Sequence, residues 1–205
     1  MRAEWNRCST GEEGGRPVGG SAVRDQLGVG AGPLLLCLAR PSGDQGAETA
    51  VRALPLCGRD ASLVVAVPGA RAPALEGLAV ALGVERALHL IDLDGLDGLD
   101  RLAEDRAVDR ARLYSAADLI LAPSPIVGVE LAEAVSEAMA AGRPLVVSDG
   151  GELAELVGSA GLVVPPCDPA VLAGAITRLL DDPLLRARLG ELARARAAPL
   201  VPVLG

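Results

Sequence analysis

Short apolar runs alternate with amphipathic segments along most of the chain. Six runs of five to seven residues are rich in Leu, Val, Ile and Ala and are separated by turn residues. Continuous apolar runs of this length are typical of parallel strands that are buried on both faces. The predicted strands are 34–39, 61–67, 87–93, 118–123, 144–148 and 161–165.

Segments with helical periodicity follow these runs. Asp168 and Pro169 are a helix start signal, because a capping side chain precedes a proline at the first helical position. The predicted helices are 47–57, 72–83, 103–117, 129–141, 152–158, 168–182 and 183–197. This alternation predicts an α/β fold, a doubly wound, parallel, Rossmann-like sheet with helices on both faces. Ligands of such folds bind at the carboxyl ends of the strands, where the strand order reverses.

The chain length of 205 residues suits one domain. Residues 1–32 are rich in Gly, Arg and Glu without periodicity, and we predict that they form a disordered lead-in. Residues 33–198 form the predicted domain, and 199–205 form a tail. Half of the residues are hydrophobic, but the chain has no Phe, one Trp and one Tyr. The core must therefore be built from aliphatic side chains.

The composition excludes several classes of protein. The net charge is −8, and no basic patch with interleaved aromatic residues is present, so we expect no nucleic-acid partner. No apolar run approaches the ~20 residues of a transmembrane helix, and no secretory signal is visible, which predicts a cytoplasmic protein. The four cysteines and the single histidine lack metal-ligand spacing, so no metal site is expected.

The order of motifs from Leu113 onward is specific. Two segments carry this order. Residues 113–124 read LYSAADLILAPS, and residues 136–169 read SEAMAAGRPLVVSDGGELAELVGSAGLVVPPCDP. It resembles the nucleotide-sugar-binding, C-terminal domain of retaining GT-B glycosyltransferases, the group 1 glycosyl transferases. The resemblance covers about residues 34–197. It implies hexosyl transfer from a nucleotide-diphosphate sugar to an acceptor, without an obligatory metal or other cofactor.

The resemblance also implies a set of donor-binding residues. In the family, a segment after the first strand supplies an arginine and a lysine to the donor diphosphate. Arg40 matches the arginine, and Gln45 stands where the lysine would be. Leu93 is a candidate contact to the nucleotide base. Gly128 is the one clear match to the glycine-rich loop whose amides hold the phosphates.

Two glutamates separated by eight positions form the family's signature. The second matches Glu137 in SEAMA, which the resemblance implies as a ligand of the donor ribose. The first falls at Val129, so Glu130 is the candidate catalytic residue if the loop is re-registered. Glu130, Glu133 and Glu137 also share one helix face, and a solvated acidic face stays open as the alternative. In the first turn of a helix, the negative charge of Glu130 would interact favourably with the helix dipole, but it would repel an anionic ligand.

Three hypotheses of function remain. GT-B enzymes work in a cleft between two domains, and only about 33 residues precede the first predicted strand. A glycosyltransferase of this kind is therefore expected to be a partial chain that lacks its acceptor domain, either as a fragment of a longer protein or with the acceptor-binding domain on a separate subunit. The second hypothesis is a non-catalytic partner or scaffolding subunit of a glycosyltransferase that has lost donor binding. The third, an unrelated flavin- or nucleotide-binding module, is disfavoured because no GxGxxG follows the first strand and the chain has no lysine.

Overall fold

Six parallel strands form one sheet in the computed structural model. The structure describes residues 23–25, 27–38, 46–67, 72–92, 103–126, 128–149 and 151–198. The strands of this part of the chain are β1 (Leu34–Cys37), β2 (Ser62–Val67), β3 (Leu88–Asp92), β4 (Leu119–Ala122), β5 (Leu145–Ser148) and β6 (Gly161–Val164). Their order is β3-β2-β1-β4-β5-β6, and every pair of neighbours is parallel. The predicted doubly wound fold is confirmed, and each strand lies inside its predicted range.

Helices connect the strands. Those of the described residues are α1 (Gly46–Ala53), α2 (Ala72–Leu82), α3 (Ala103–Ala116), α4 (Val129–Ala140), α5 (Glu152–Val157), α6 (Pro169–Asp181) and α7 (Pro183–Ala197). The predicted helix 47–57 is instead α1 followed by a 3₁₀ helix, Leu54–Cys57. Pro55 explains the difference, because proline lacks the N–H that would continue an α-helix and clashes with the preceding turn.

The sheet is buried on both faces, which explains why the strands are continuously apolar. Along β1, Leu35 and Cys37 belong to a cluster with α1, α2 and α6. Leu34 and Leu36 belong to a second cluster with α3, α4 and α5 on the opposite face. All four side chains are 0–1% exposed. Tyr114 is the only aromatic side chain among the buried residues that the structure describes, so aliphatic packing holds the rest of the core.

Side-chain caps start the last two helices. The Asp168 carboxylate accepts from the N–H groups of Ala170 and Val171, each at 3.0 Å. Asp182 accepts from the N–H of Leu185 at 2.9 Å. These bonds satisfy N–H groups that a helix leaves without an internal partner. The start signal predicted at Asp168 is confirmed.

A segment before β1 packs on the amino edge of the sheet. Arg24 donates to the carbonyl of Gly32 at 2.8 Å and forms an ion pair with Asp118. The Asp118 carboxylate also accepts from the N–H of Leu34 at 2.8 Å. The described fold therefore includes residues from Val23 onward, which the sequence assigns to the lead-in. The predicted domain boundaries otherwise stay a prediction.

Helix α7 crosses closely over the turn that follows α4, at a pair of glycines. A Cβ placed on Gly190, in α7, would lie 2.4 Å from the carbonyl oxygen of Gly142. The nearest atoms are backbone atoms of Gly142, so no flexible side chain can move aside to make room for a methyl group. Gly174, in α6, is the opposite case, because it is exposed and a Cβ there would meet no atom within 4 Å.

These two glycines make a matched pair of stability tests. We expect Gly190→Ala to lower the free energy of unfolding by about 1–3 kcal/mol, because overpacking outweighs the gain in helix propensity. Gly174→Ala should raise it by up to about 1 kcal/mol, since only the propensity changes. Urea denaturation followed by circular dichroism measures both. Equal effects of the two substitutions would contradict the close crossing.

The single histidine lies on β3, beside the segment that precedes β1. Burial lowers the pKa of His89 from its ordinary value of 6.5, and a hydrogen bond with the backbone of Leu27 opposes that shift. The unfolded chain therefore binds this proton more readily than the folded chain does.

This shift predicts a pH dependence of stability. The contribution of neutral His89 is fully present above pH 6.5 and is lost as the pH falls through the lowered pKa of the folded state. Denaturation midpoints between pH 7.5 and about 5 should therefore decrease more steeply for the native sequence than for His89→Asn. A steeper decrease in the variant would contradict the direction of the shift.

Candidate functional site

The strand order reverses between β1 and β4, at the centre of the sheet. β2 and β3 continue the sheet on one side, and β5 and β6 continue it on the other. The helix after β1 packs on one face and the helix after β4 on the opposite face. In doubly wound folds this divergence leaves a crevice at the carboxyl ends of the strands, and ligands bind there. The candidate site is built around this crevice.

The turn after β4 leads directly into α4. The buried Ser124 hydroxyl donates to the carbonyl of Ile126 at 2.6 Å and accepts from its N–H at 3.3 Å. Gly128 is extended, with φ −127° and ψ 166°, and its carbonyl accepts from the N–H groups of Leu131 and Ala132, each at 3.1 Å. Gly128 therefore sits at the N-cap of α4, where free N–H groups point outward.

The first turn of α4 is helical where the family signature would supply a loop. Residues 129–136, VELAEAVS, contain no glycine, and Leu131 is only 4% exposed against the core. Val129, at the place of the first signature glutamate, is 71% exposed. Glu130 is exposed in the same turn. Its catalytic role stays a prediction.

Glu137 lies two turns further along α4 and is held by two side chains of α3. The Tyr114 hydroxyl is 3.1 Å from Oε2 of Glu137, and Nη2 of Arg110 is 3.0 Å from Oε1. The Glu137 side chain is 41% exposed and that of Arg110 is 56% exposed. Glu137 is therefore anchored on one side and open to solvent on the other. Its role as a ribose ligand stays a prediction.

Tyr114 is the buried member of this group. Its side chain packs in the core cluster on the α4 face and is 3% exposed. Burial raises the pKa of Tyr114 far above its ordinary value, and the charge and hydrogen bond of Glu137 act in the same direction. Arg110 opposes part of this shift. Tyr114 is thus a neutral hydrogen-bond donor to Glu137 at any physiological pH.

The turn after β5 borders the same edge of the sheet. The Ser148 hydroxyl is buried and has no hydrogen-bond partner in the described part of the chain. The next residue, Asp149, donates its N–H to the carbonyl of Val164 at 2.6 Å. Gly151 has φ +141°, a conformation that side-chain-bearing residues rarely adopt. This turn therefore depends on glycine for its backbone path.

Three predicted site residues lie outside the described residues: Arg40, Gln45 and Leu93. Their roles stay predictions. Across the described ranges, no group of three or more His, Cys, Asp and Glu side chains is placed to hold a metal ion. In those same ranges no helix is long and apolar enough to cross a bilayer.

A cavity of about 450 Å³ opens at the opposite edge of the sheet. It is lined by the 3₁₀ helix, the loop before β2 and the turn before β3, including Arg59 and Arg86. Arg59 forms an ion pair with Asp181 of α6. This cavity lies at the amino ends of the strands, so it is separate from the crevice at the switch point.

The partners of Glu137 were not predicted from the sequence. Arg110 and Tyr114 are four residues apart on α3, which places both on one helix face. Tyr114 is also the only tyrosine of the chain. These two signals mark the pair as unusual, but only the packing of α3 against α4 shows what they contact.

The fold and its switch point define a Rossmann-like domain of the GT-B class. A family model described as glycosyl transferases group 1 matches residues 32–182, and the chain belongs to that family. The resemblance derived from the sequence is confirmed at this level. The carboxyl-edge crevice is therefore the place to look for a donor site.

Individual relatives support the family, and solved structures support the fold. The chain is 31% identical over 183 residues to alpha-D-kanosaminyltransferase from Streptomyces kanamyceticus, covering 87% of this chain and 43% of that enzyme. Sucrose-phosphate synthase from Thermosynechococcus elongatus superposes with a TM-score of 0.70 at 28% identity, covering 88% and 44%. HepE from Anabaena, solved with UDP and glucose, has a TM-score of 0.71 at 24% identity, covering 88% and 47%. The chain spans less than half the length of the curated relatives it matches.

Proposed function

We propose that this chain is the nucleotide-sugar-binding part of a glycosyltransferase. The donor would be a nucleotide-diphosphate sugar, and the reaction would move its hexosyl group to an acceptor hydroxyl. The single observation that carries this proposal is Glu137. The second signature glutamate is present, exposed on one side, and fixed on the other by Tyr114 and Arg110.

In this proposal, different residues bind the ribose, the base and the diphosphate of the donor. Glu137 accepts hydrogen bonds from the ribose hydroxyls, and Leu93 contacts the base. Arg40 binds the diphosphate, because a guanidinium can hold two phosphate oxygens at once. Gln45 and the free N–H groups after Gly128 donate further hydrogen bonds to the phosphates.

Transfer in such a site depends on the leaving diphosphate. The bond between the anomeric carbon and the diphosphate oxygen breaks, and that carbon bonds to the acceptor oxygen, whose proton passes to the departing diphosphate. Negative charge grows on the diphosphate, so fixed cations and helix dipoles stabilise the transition state without a metal. Glu130 is the candidate to contact the transferred sugar.

The acceptor would be bound by another domain or subunit. The kanosaminyltransferase and sucrose-phosphate synthase are both more than twice as long as the part that this chain matches. We therefore expect transfer to require protein that lies beyond the matched part, and donor binding to be the activity measurable on this chain.

A second candidate function is a non-catalytic partner subunit that has lost donor binding. The first turn of α4 favours it. Val129 replaces the first signature glutamate, and the exposed Glu130 brings negative charge to the helix end where a phosphate would lie. The two candidates differ in one measurable property, which is affinity for a nucleotide.

A thermal-shift titration tests donor binding. We expect one of UDP, GDP, ADP and their sugar conjugates to raise the melting temperature, and Glu137→Ala to abolish the rise. A ligand at ~100 times its dissociation constant stabilises the folded state by about 2.7 kcal/mol, a shift that is easily resolved. Glu133→Ala is the matched control, because Glu133 is exposed one turn earlier on the same helix.

The outcomes separate the two candidate functions. A shift that survives Glu133→Ala and disappears in Glu137→Ala supports the donor site. A chain that melts cooperatively and is shifted by no nucleotide at millimolar concentration would overturn donor binding and leave the partner subunit.

The charge of Glu130 gives a further prediction. If a diphosphate lies at the N-terminus of α4, Glu130→Gln should raise nucleotide affinity about two- to fivefold at low salt, since a repelling charge is removed. Glu133→Gln removes the same charge one turn away and should change affinity less. Isothermal titration calorimetry at two ionic strengths compares them. Equal effects of Glu130→Gln and Glu133→Gln on affinity would indicate that the phosphates do not lie at the N-terminus of α4.

A further inference from the structure

The contacts of Glu137 extend the site onto a second helix. α3 packs beside α4, and it supplies one buried and one exposed donor to the same carboxylate. The Tyr114 ring lies in the core cluster together with Val135 and Ala138 of α4. A ring fixed in this way holds its hydroxyl at one place, so the Glu137 carboxylate has a defined orientation.

The two contacts leave acceptor capacity on Glu137. An ionised carboxylate offers about four lone-pair positions, and Tyr114 and Arg110 occupy one on each oxygen. Two positions remain for other donors, and the side chain is 41% exposed. The two vicinal hydroxyls of a ribose could each donate a hydrogen bond to these remaining positions.

Tyr114 and Arg110 are not equivalent partners. The phenol is buried, and a hydrogen bond shielded from water orients its partner more firmly than an exposed one does. Arg110 is 56% exposed, and exposed ion pairs contribute little because solvent and salt screen them. The orientation of Glu137 should therefore depend mainly on Tyr114.

We propose that Tyr114 is a positioning residue for the ribose of the donor, holding the Glu137 carboxylate in the orientation that accepts the ribose hydroxyls. This inference rests on the proposed donor site and goes beyond it, because it assigns ribose selectivity to a buried residue of α3. Tyr114 touches Glu137 and acts through it.

Ribose selectivity is the property to measure. UDP, GDP and ADP are each compared with the corresponding 2′-deoxynucleotide by isothermal titration calorimetry, on the full chain. For the native sequence we expect the ribonucleotide to bind more tightly. Tyr114→Phe keeps the ring and removes the hydroxyl, so it should reduce this selectivity about three- to tenfold while affinity for the deoxynucleotide stays nearly constant. Arg110→Gln should reduce it about twofold or less.

A double-mutant cycle distinguishes positioning from a general structural effect. In a Glu137→Ala background, Tyr114→Phe should cause no further loss of selectivity, because the carboxylate it orients is gone. Glu133→Gln, on the exposed side of α4, is the control and should leave selectivity unchanged. Melting temperatures without ligand report whether each variant is folded.

A second measurement uses the native sequence and does not depend on folding of a variant. Tyr114 is the only tyrosine, so selective ¹³C labelling of tyrosine gives one ring Cζ resonance. Ribonucleotide binding should shift this resonance, because the hydrogen bond to Glu137 is shared with the ribose. The 2′-deoxynucleotide should shift it less.

The results separate failure of this inference from failure of the proposed function. If no nucleotide binds, both are overturned. If a nucleotide binds and Glu137→Ala removes ribose selectivity, but Tyr114→Phe retains it and the Cζ resonance is unmoved, the donor site stands and the positioning role of Tyr114 is wrong.

Discussion

The docking of α4 on the sheet is the interaction on which the candidate site depends. Val135, Ala138 and Met139 are completely buried, and Leu131 extends the apolar stripe into the first turn. This stripe fixes both the rotation and the starting point of the helix. The opposite side, which carries Glu130, Glu133 and Glu137, must then face away from the core. The positions of the acidic residues are thus a consequence of hydrophobic packing.

The same docking brings α3 and α4 together with a polar contact at the boundary of the core. Tyr114 buries its ring among aliphatic neighbours and still requires a partner for its hydroxyl, because an unpaired buried hydroxyl is costly. Glu137 is within reach and satisfies it. A carboxylate that looks like one of three solvated acidic residues in the sequence is therefore the one that is tied into the structure.

Much of the fold could be predicted from sequence because its signals are local. Each of the six strands is a short apolar run, and Asp168 before a proline marks the start of α6. The break of α1 at Ala53 was not predicted, although Pro55 is a local signal for it. The contact between Tyr114 and Glu137 could not be predicted from the sequence, because it joins residues 23 positions apart through the packing of two helices. Gly128, Glu130 and Glu137 are assigned through the family resemblance, and local pattern alone leaves Glu137 equivalent to Glu133.

The two ends of the proposed donor site have diverged to different degrees. At the ribose end, the signature glutamate is present and has two partners. At the phosphate end, Gln45 brings no charge where the family has a lysine, and Val129 and Glu130 occupy a helical turn in place of a glycine loop. Loss of a cation and gain of an anion both weaken attraction for a diphosphate. Any donor affinity of this chain should therefore come mainly from the ribose and the base. A nucleoside diphosphate should bind more tightly than the matching nucleoside, but by a smaller factor than in a site that keeps the lysine and the glycine loop.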